Sequence, residues 1–176
     1  MKDSHALETD AAARIISLMA AAARTAPKTR GIDNVRVAAV DDPESRERLC
    51  AAMHEIARRE GRPGLARDAR CIAAGPAVLL LGVVSNPAGL DCGYCGHRNC
   101  DGLRAAGGVC AFNSVDLGIA ACSAAATAGQ LRADCRVMYS IGYAALELKL
   151  LGDDVRQAVG IPVSITGKSP FFDRTA

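Results

Sequence analysis

Apolar side chains recur at helical spacing over 11–24, "AAARIISLMAAAAR", where Ile15, Leu18, Met19 and Ala22 form one stripe and Arg14 and Arg24 lie outside it. The stretch predicts a core helix, ended by Pro27 and Gly31 in the loop "TAPKTRG". "NVRVAAV" (34–40) is short and β-branched and predicts a strand. Behind it, "DDPES" offers Asp42 as an N-cap and Pro43 at the first position of a helix over 43–59, with Leu49, Ala52, Met53 and Ile56 on one face. The basic stretch "RREGRPGLARDAR" (58–70) predicts a solvated loop, with docking of an acidic partner as the alternative. "PAVLLLGVV" (76–84) is apolar throughout and predicts a strand buried on both faces.

A glycine-studded loop over 86–112 holds a group of cysteines. Asn113 is then placed to cap a helix through "SVDLGIAACSAAATA" to Gly129, with Asp116 in its first turn. Residues 134–151 predict another helix, with Val137, Met138, Ile141, Ala145 and Leu148 inward and Gly152 as its stop. Asp153 or Asp154 would cap a short helix to Val159, and "IPVSITG" (161–167) predicts the last strand. The expected order is α, β, α, β, cysteine loop, α, α, α, β. Without an internal repeat or a low-complexity linker, this describes one α+β domain over 1–176, a sheet between helices.

Composition changes this picture in three respects. At 176 residues the chain has the length of a single core, and with 3% aromatics and no Trp that core must be built from Ala, Leu, Ile and Val. A net charge of +2 with interspersed signs, and few rings for bases to stack on, argue against nucleic acid and against an anionic membrane as partners. The opening "MKDSHALETD" carries three acids, unlike a secretory signal or mitochondrial presequence, and no apolar run has the length of a membrane span, so the cytoplasm is the expected compartment. There, eight cysteines read as metal ligands or buried thiols rather than disulfides.

Cys92, Cys95, Cys100 and Cys110 follow the spacing C-x2-C-x4-C-x9-C. Four thiolates converging from one loop suit a [4Fe–4S] cluster, and Gly93 and Gly96 would let backbone amides approach its sulfides. The alternatives are a structural zinc ion held by the same four thiolates, in a non-catalytic binding or assembly module, and unliganded thiols. Cys50, Cys71, Cys122 and Cys135 read as packing thiols, with Cys122 or Cys135 in reserve as the fourth ligand. Tyr94 is placed to shield the site from water, while His97, Asp91, Arg98 and Asp101 read as surface residues. No P-loop, dinucleotide fingerprint or glycine-framed nucleophile occurs.

"GLDCGYCGHRNCDGLRAAGGVC" resembles the small iron–sulfur domain of electron-transport complex B subunits and corrinoid iron–sulfur proteins, in which NCGxCGxxxC precedes a more distant cysteine. The first three cysteines match in register, and the fourth arrives earlier here. Over nearly its whole length the chain is similar to uncharacterised prokaryotic proteins described as containing a ferredoxin domain.

"AAARTAPKTRGIDNVRVAAVDDPESRERL" (21–49) is similar to the first third of the nitroreductase family; "DLGIAAC" and "VRQAVGIPVSITGKSP" resemble its later helix and last strand. That resemblance implies a nitroreductase-like α+β fold, a homodimer, and FMN in a cleft partly formed between the two copies. Its candidate flavin contacts are Arg24, Lys28, Arg30 and Lys168, with Asn34 standing in for the polar residues usual after the Ala-Pro loop. The expected function is an iron–sulfur electron carrier, with a protein redox partner and, if FMN binds, a flavin-dependent oxidoreductase activity.

Overall fold

The computed structural model describes residues 1–73 and 75–171. Four strands form one antiparallel sheet in the order β1 (Val35–Val40), β2 (Ala77–Val84), β4 (Val155–Ser164), β3 (Asp134–Cys135). The helices are α1 (Ser4–Thr25), α2 (Pro43–Glu60), α3 (Pro63–Ala73), α4 (Cys100–Ala105), α5 (Ala111–Gln130) and α6 (Tyr139–Glu147). A tight 3-10 turn, Thr29–Gly31, joins α1 to β1.

The β2 strand lies at the centre of two cores. Leu79, Leu81 and Val83 pack with Ile15, Ile16 and Met19 of α1 and with Leu117 and Ala120 of α5. On the other face Val78 and Leu80 pack with Leu49, Met53 and Ile56 of α2, Leu65 and Ile72 of α3 and Ile141 of α6. A strand with apolar neighbours on both sides needs the continuous apolar run that β2 has. Burying Leu80 alone removes enough apolar surface to contribute about 2 kcal/mol. Close approach replaces bulk elsewhere: a Cβ on Gly142 of α6 would lie 1.9 Å from the Ala158 carbonyl oxygen of β4. The fold is α+β, as expected.

Several local expectations are corrected. The first helix begins at Ser4, capped by the Asp3 carboxylate, and Ile16 and Ala23 are inside it where Leu18 is exposed. Of the basic stretch only Gly61 and Arg62 form a loop: its first three residues end α2, and from Pro63 it is α3, because Leu65, Ala69 and Ile72 make an apolar stripe between the charges. Asn113 caps nothing, since α5 starts at Ala111 with Cys110 at the cap position and runs one residue past Gly129. The proposed 134–151 helix is instead β3, a bridge from Met138 to Gly160 and the shorter α6, and Val137 faces outward. Neither Asp153 nor Asp154 begins a helix: "VRQAVGIPVS" is one strand, whose pairing with β2 satisfies the backbone that a local cap would have served. Asp42 does cap α2, accepting the Ser45 amide at 2.8 Å, with Pro43 following it.

Candidate functional site

Between β2 and α5 the chain leaves the sheet and turns repeatedly through left-handed conformations. Gly93 and Gly96 have φ of 74° and 80°, and the Gly96 amide closes a turn on the Gly93 carbonyl at 2.9 Å. Side chains other than Gly, Asn and Asp pay strain at such φ values, so the two glycines let Cys95 ride on a tight turn between them. Asp91 takes φ 47° and its carboxylate accepts the Cys100 amide at 2.7 Å, which ties the two ends of the three-cysteine span together. That hydrogen bond holds the Asp91 carboxyl below the usual carboxylate range. Asn99 then caps α4 by accepting the Gly102 amide at 2.9 Å, and buried Leu103 fixes α4 in a small apolar cluster with Ala88 and Cys110.

Cys92, Cys95, Cys100 and Cys110 all line one pocket. Its walls are Ala88, Leu90, Leu103, Ala111 and Phe112, and Tyr94 stacks on Phe112 with ring centroids 5.5 Å apart. Tyr94 is 76% exposed, so it roofs the pocket from the solvent side rather than sealing it. Cys110 is buried at the start of α5, where first-turn amides have no intrahelical acceptor.

Neither reserve cysteine shares this pocket. Cys122 is exposed on α5, a correction to its reading as a packing thiol, and Cys135 is half-buried in β3. Cys50 and Cys71 are half-buried, and burial pushes the Cys50 and Cys135 thiols up, away from the thiolate form a metal requires.

Four thiols share the pocket, a donor set that both a cluster and a single zinc ion take, and among the described residues no three His, Cys, Asp or Glu side chains are grouped to hold a metal ion.

The expected flavin contacts divide into two places. Arg24 pairs with Asp33 and donates to the Val35 carbonyl at 2.7 Å; Asn34 accepts from the Asn86 side chain at 3.1 Å. Arg24, Asn34 and Asn86 line an open groove at the Val35 end of the sheet. Lys28 folds back on the end of α1, donating to the Arg24 and Ala26 carbonyls at 2.6 and 2.9 Å. Arg30 reaches the cysteine loop, donating to the Ala88 carbonyl at 2.8 Å. Lys168 is exposed beyond Ser164, at the opposite end of the sheet, because Val163 pairs with Ala77 while Val35 pairs with Val83.

Three residues that sequence reasoning missed organise the loop. Asn113, buried in α5, accepts the Asn86 amide at 3.0 Å, and Ser85 donates to the Gly108 carbonyl at 2.8 Å. Asp116, 2% exposed, accepts both the amide and the hydroxyl of Thr29 at 2.9 Å, which anchors the 3-10 turn to α5. Polar residues so near a helix start read as caps; their partners, far away in sequence, were the missing signal.

Comparison with known proteins agrees with this architecture. Residues 106–174 match the model of a family described as "Uncharacterized protein containing a ferredoxin domain". An uncharacterised protein of Archaeoglobus fulgidus is 39% identical over 166 residues, 89% of this chain and 88% of its own. Among solved structures, a nitroreductase with bound FMN from Desulfitobacterium hafniense DCB-2 superposes with a TM-score of 0.62 at 16% identity, over 96% of this chain and 80% of that one. A BluB-like flavoprotein from Clostridium difficile 630 gives 0.62 at 16% identity, over 88% and 81%. The fold is therefore nitroreductase-like, and the cysteine loop is set into it.

Proposed function

Since the chain belongs to the family of uncharacterised proteins containing a ferredoxin domain, we propose that it is an iron–sulfur redox protein whose cysteine loop holds a [4Fe–4S] cluster. The observation that supports this most is the single pocket lined by Cys92, Cys95, Cys100 and Cys110. A bound cluster supplies one-electron transfer, which asks for shielding and rigid ligands and needs no general acid or base. The protein's own residues supply those two things. Buried Leu103 and half-buried Phe112 exclude water from one side of the thiols, and the Asp91 and Asn99 side chains hold the loop's turns by accepting the Cys100 and Gly102 amides. Exposed Cys92 and Tyr94 leave the solvent side of the pocket open to a redox partner protein.

FMN is the second cofactor of this reading, supported by the nitroreductase-like fold and by the FMN-bound relative in structure. Arg24 and Asn34 on one side and Lys168 on the other stand at opposite sheet ends, so a flavin touching both sets takes them from two copies of a homodimer. Arg24 and Lys28 already serve their own chain, and a flavin phosphate would share them with Asp33 and the end of α1. With flavin bound, the protein is an oxidoreductase that joins one-electron and hydride chemistry. Among the described residues no helix is long and apolar enough to cross a membrane.

Anaerobically purified protein is expected to show a broad visible absorption that bleaches on chemical reduction, and heat denaturation is expected to release a yellow flavin. Colourless protein with stoichiometric zinc would exclude the cluster. Brown protein that releases no flavin would leave a one-electron carrier and remove the enzyme.

A further inference from the structure

Resting on the reading of the cysteine pocket as a cluster site, we infer that Arg30 serves that site and not the flavin, as a positioning residue and fixed cation that raises the reduction potential of the bound cluster. The Ala88 carbonyl that Arg30 holds belongs to the pocket wall, and Ala88 is buried there beside Cys110. The same Nη1 lies 3.4 Å from where a Cβ on Gly89 would stand, so the guanidinium covers the Ala88–Gly89 corner of the wall.

Its own backbone is committed to that reach. Arg30 has φ 57°, a left-handed conformation unfavourable to a long side chain, within the Thr29–Gly31 turn that Asp116 anchors. Asp116 and Cys110 lie on α5 and at its cap, so one helix fixes both the ligand and the arginine turn.

Charge separates Arg30 from its neighbours. Arg24 is paired with Asp33 and Arg104 with Asp101, whereas among the described residues Arg30 has no carboxylate partner. A guanidinium stays protonated throughout the working range of pH. One electron entering the cluster from an external one-electron donor adds one negative charge; no bond forms or breaks, and no proton leaves the arginine. A nearby uncompensated cation stabilises the reduced state more than the oxidised one, and because Arg30 is itself exposed, salt screens part of that effect.

The test uses full-length, cluster-loaded protein with Arg30→Gln, Arg30→Lys and the remote single-charge control Arg48→Gln on α2. Midpoint potentials are read by spectroelectrochemistry at low and high salt, beside iron content and the thermal midpoint of the iron-free chain. Arg30→Gln is expected to lower the potential, most at low salt, while Arg30→Lys recovers most of the shift and Arg48→Gln leaves it unchanged. If Arg30→Gln sheds iron, an unchanged thermal midpoint with iron retained by Arg30→Lys supports the positioning role; equal loss of iron and of thermal stability in both variants overturns it. A fully loaded Arg30→Gln with the parent potential also overturns the inference. Absence of iron from the parent protein instead defeats the cluster reading beneath it.

Discussion

Strand β2 and the loop that follows it are adjacent in the chain and opposite in construction. Seven consecutive residues of β2, Ala77–Val83, are buried between two helical layers, and their positions follow from apolar packing on both faces. The loop from Ser85 to Cys110 buries little beyond Ala88, Leu103 and Cys110, and its shape follows from left-handed turns and hydrogen bonds at a few points. Those points are Ser85 to Gly108, Asn86 to Asn113, Ala88 to Arg30 and Asp91 to Cys100. A site that must present thiols close to solvent cannot rely on a core of its own. It borrows rigidity through these ties, two of which end on α5 or on the turn that α5 anchors while the other two close the loop on itself.

The sharpest way to separate the two regions is to remove a thiol. Cys92→Ser, Cys95→Ser, Cys100→Ser and Cys110→Ser are each expected to lose most bound iron while far-UV circular dichroism stays at the parent value, because the sheet core does not depend on the loop. Cys122→Ser is expected to keep its iron, since Cys122 lies outside the pocket. Iron retained by Cys110→Ser and lost by Cys122→Ser would reassign the fourth ligand.

The converse perturbation is Leu80→Ala. Leu80 is fully buried between β2 and the α2, α3 and α6 layer, and its truncation is expected to cost about 2–5 kcal/mol in denaturant unfolding while iron per folded chain stays constant. Smaller, and aimed at the joint between the regions, is Asp116→Ala. It strands the half-buried Thr29 amide and is expected to cost about 1–3 kcal/mol, with easier loss of iron on dilution.

The smallest effect concerns pH and belongs to the core side alone. The Asp42 carboxyl lies below the usual carboxylate range because the Ser45 amide hydrogen-bonds it. A carboxyl with a lowered folded-state pKa stabilises the fold above the unfolded-state value and loses that contribution as pH falls through the folded-state value. The parent melting temperature is therefore expected to drop in acid more steeply than that of Asp42→Asn, with loop hydrogen bonds unaffected. Parallel acid limbs for the two proteins would contradict this role for the cap.

What could be read in advance divides along the same line. β2 and α2 were legible because an unbroken apolar run and a capped 3.6-residue stripe are local signals. α3 was hidden because the charges Arg67, Asp68 and Arg70 interrupt its stripe and Asp68, a residue expected outside, is buried against Ser140, whose hydroxyl donates to it at 2.6 Å. The first half of β4 was hidden because its stability comes from β2, a partner far away in sequence, and because Gly160 makes room for Ile141 where a strand would ordinarily carry a side chain. In the site, the gathering of the four thiols into one pocket was legible from spacing, since three of them sit within nine residues of one glycine-spaced loop. Arg30, Asn113 and Asp116 were not, because their roles exist only once α5 lies beside the turn and the loop.

The measurement that bears most directly on the central claim is iron and acid-labile sulfide per chain in protein prepared and analysed without oxygen. Four irons and four sulfides in the parent, falling together in Cys95→Ser, is the predicted result. Sulfide-free protein holding one zinc per chain would contradict the account.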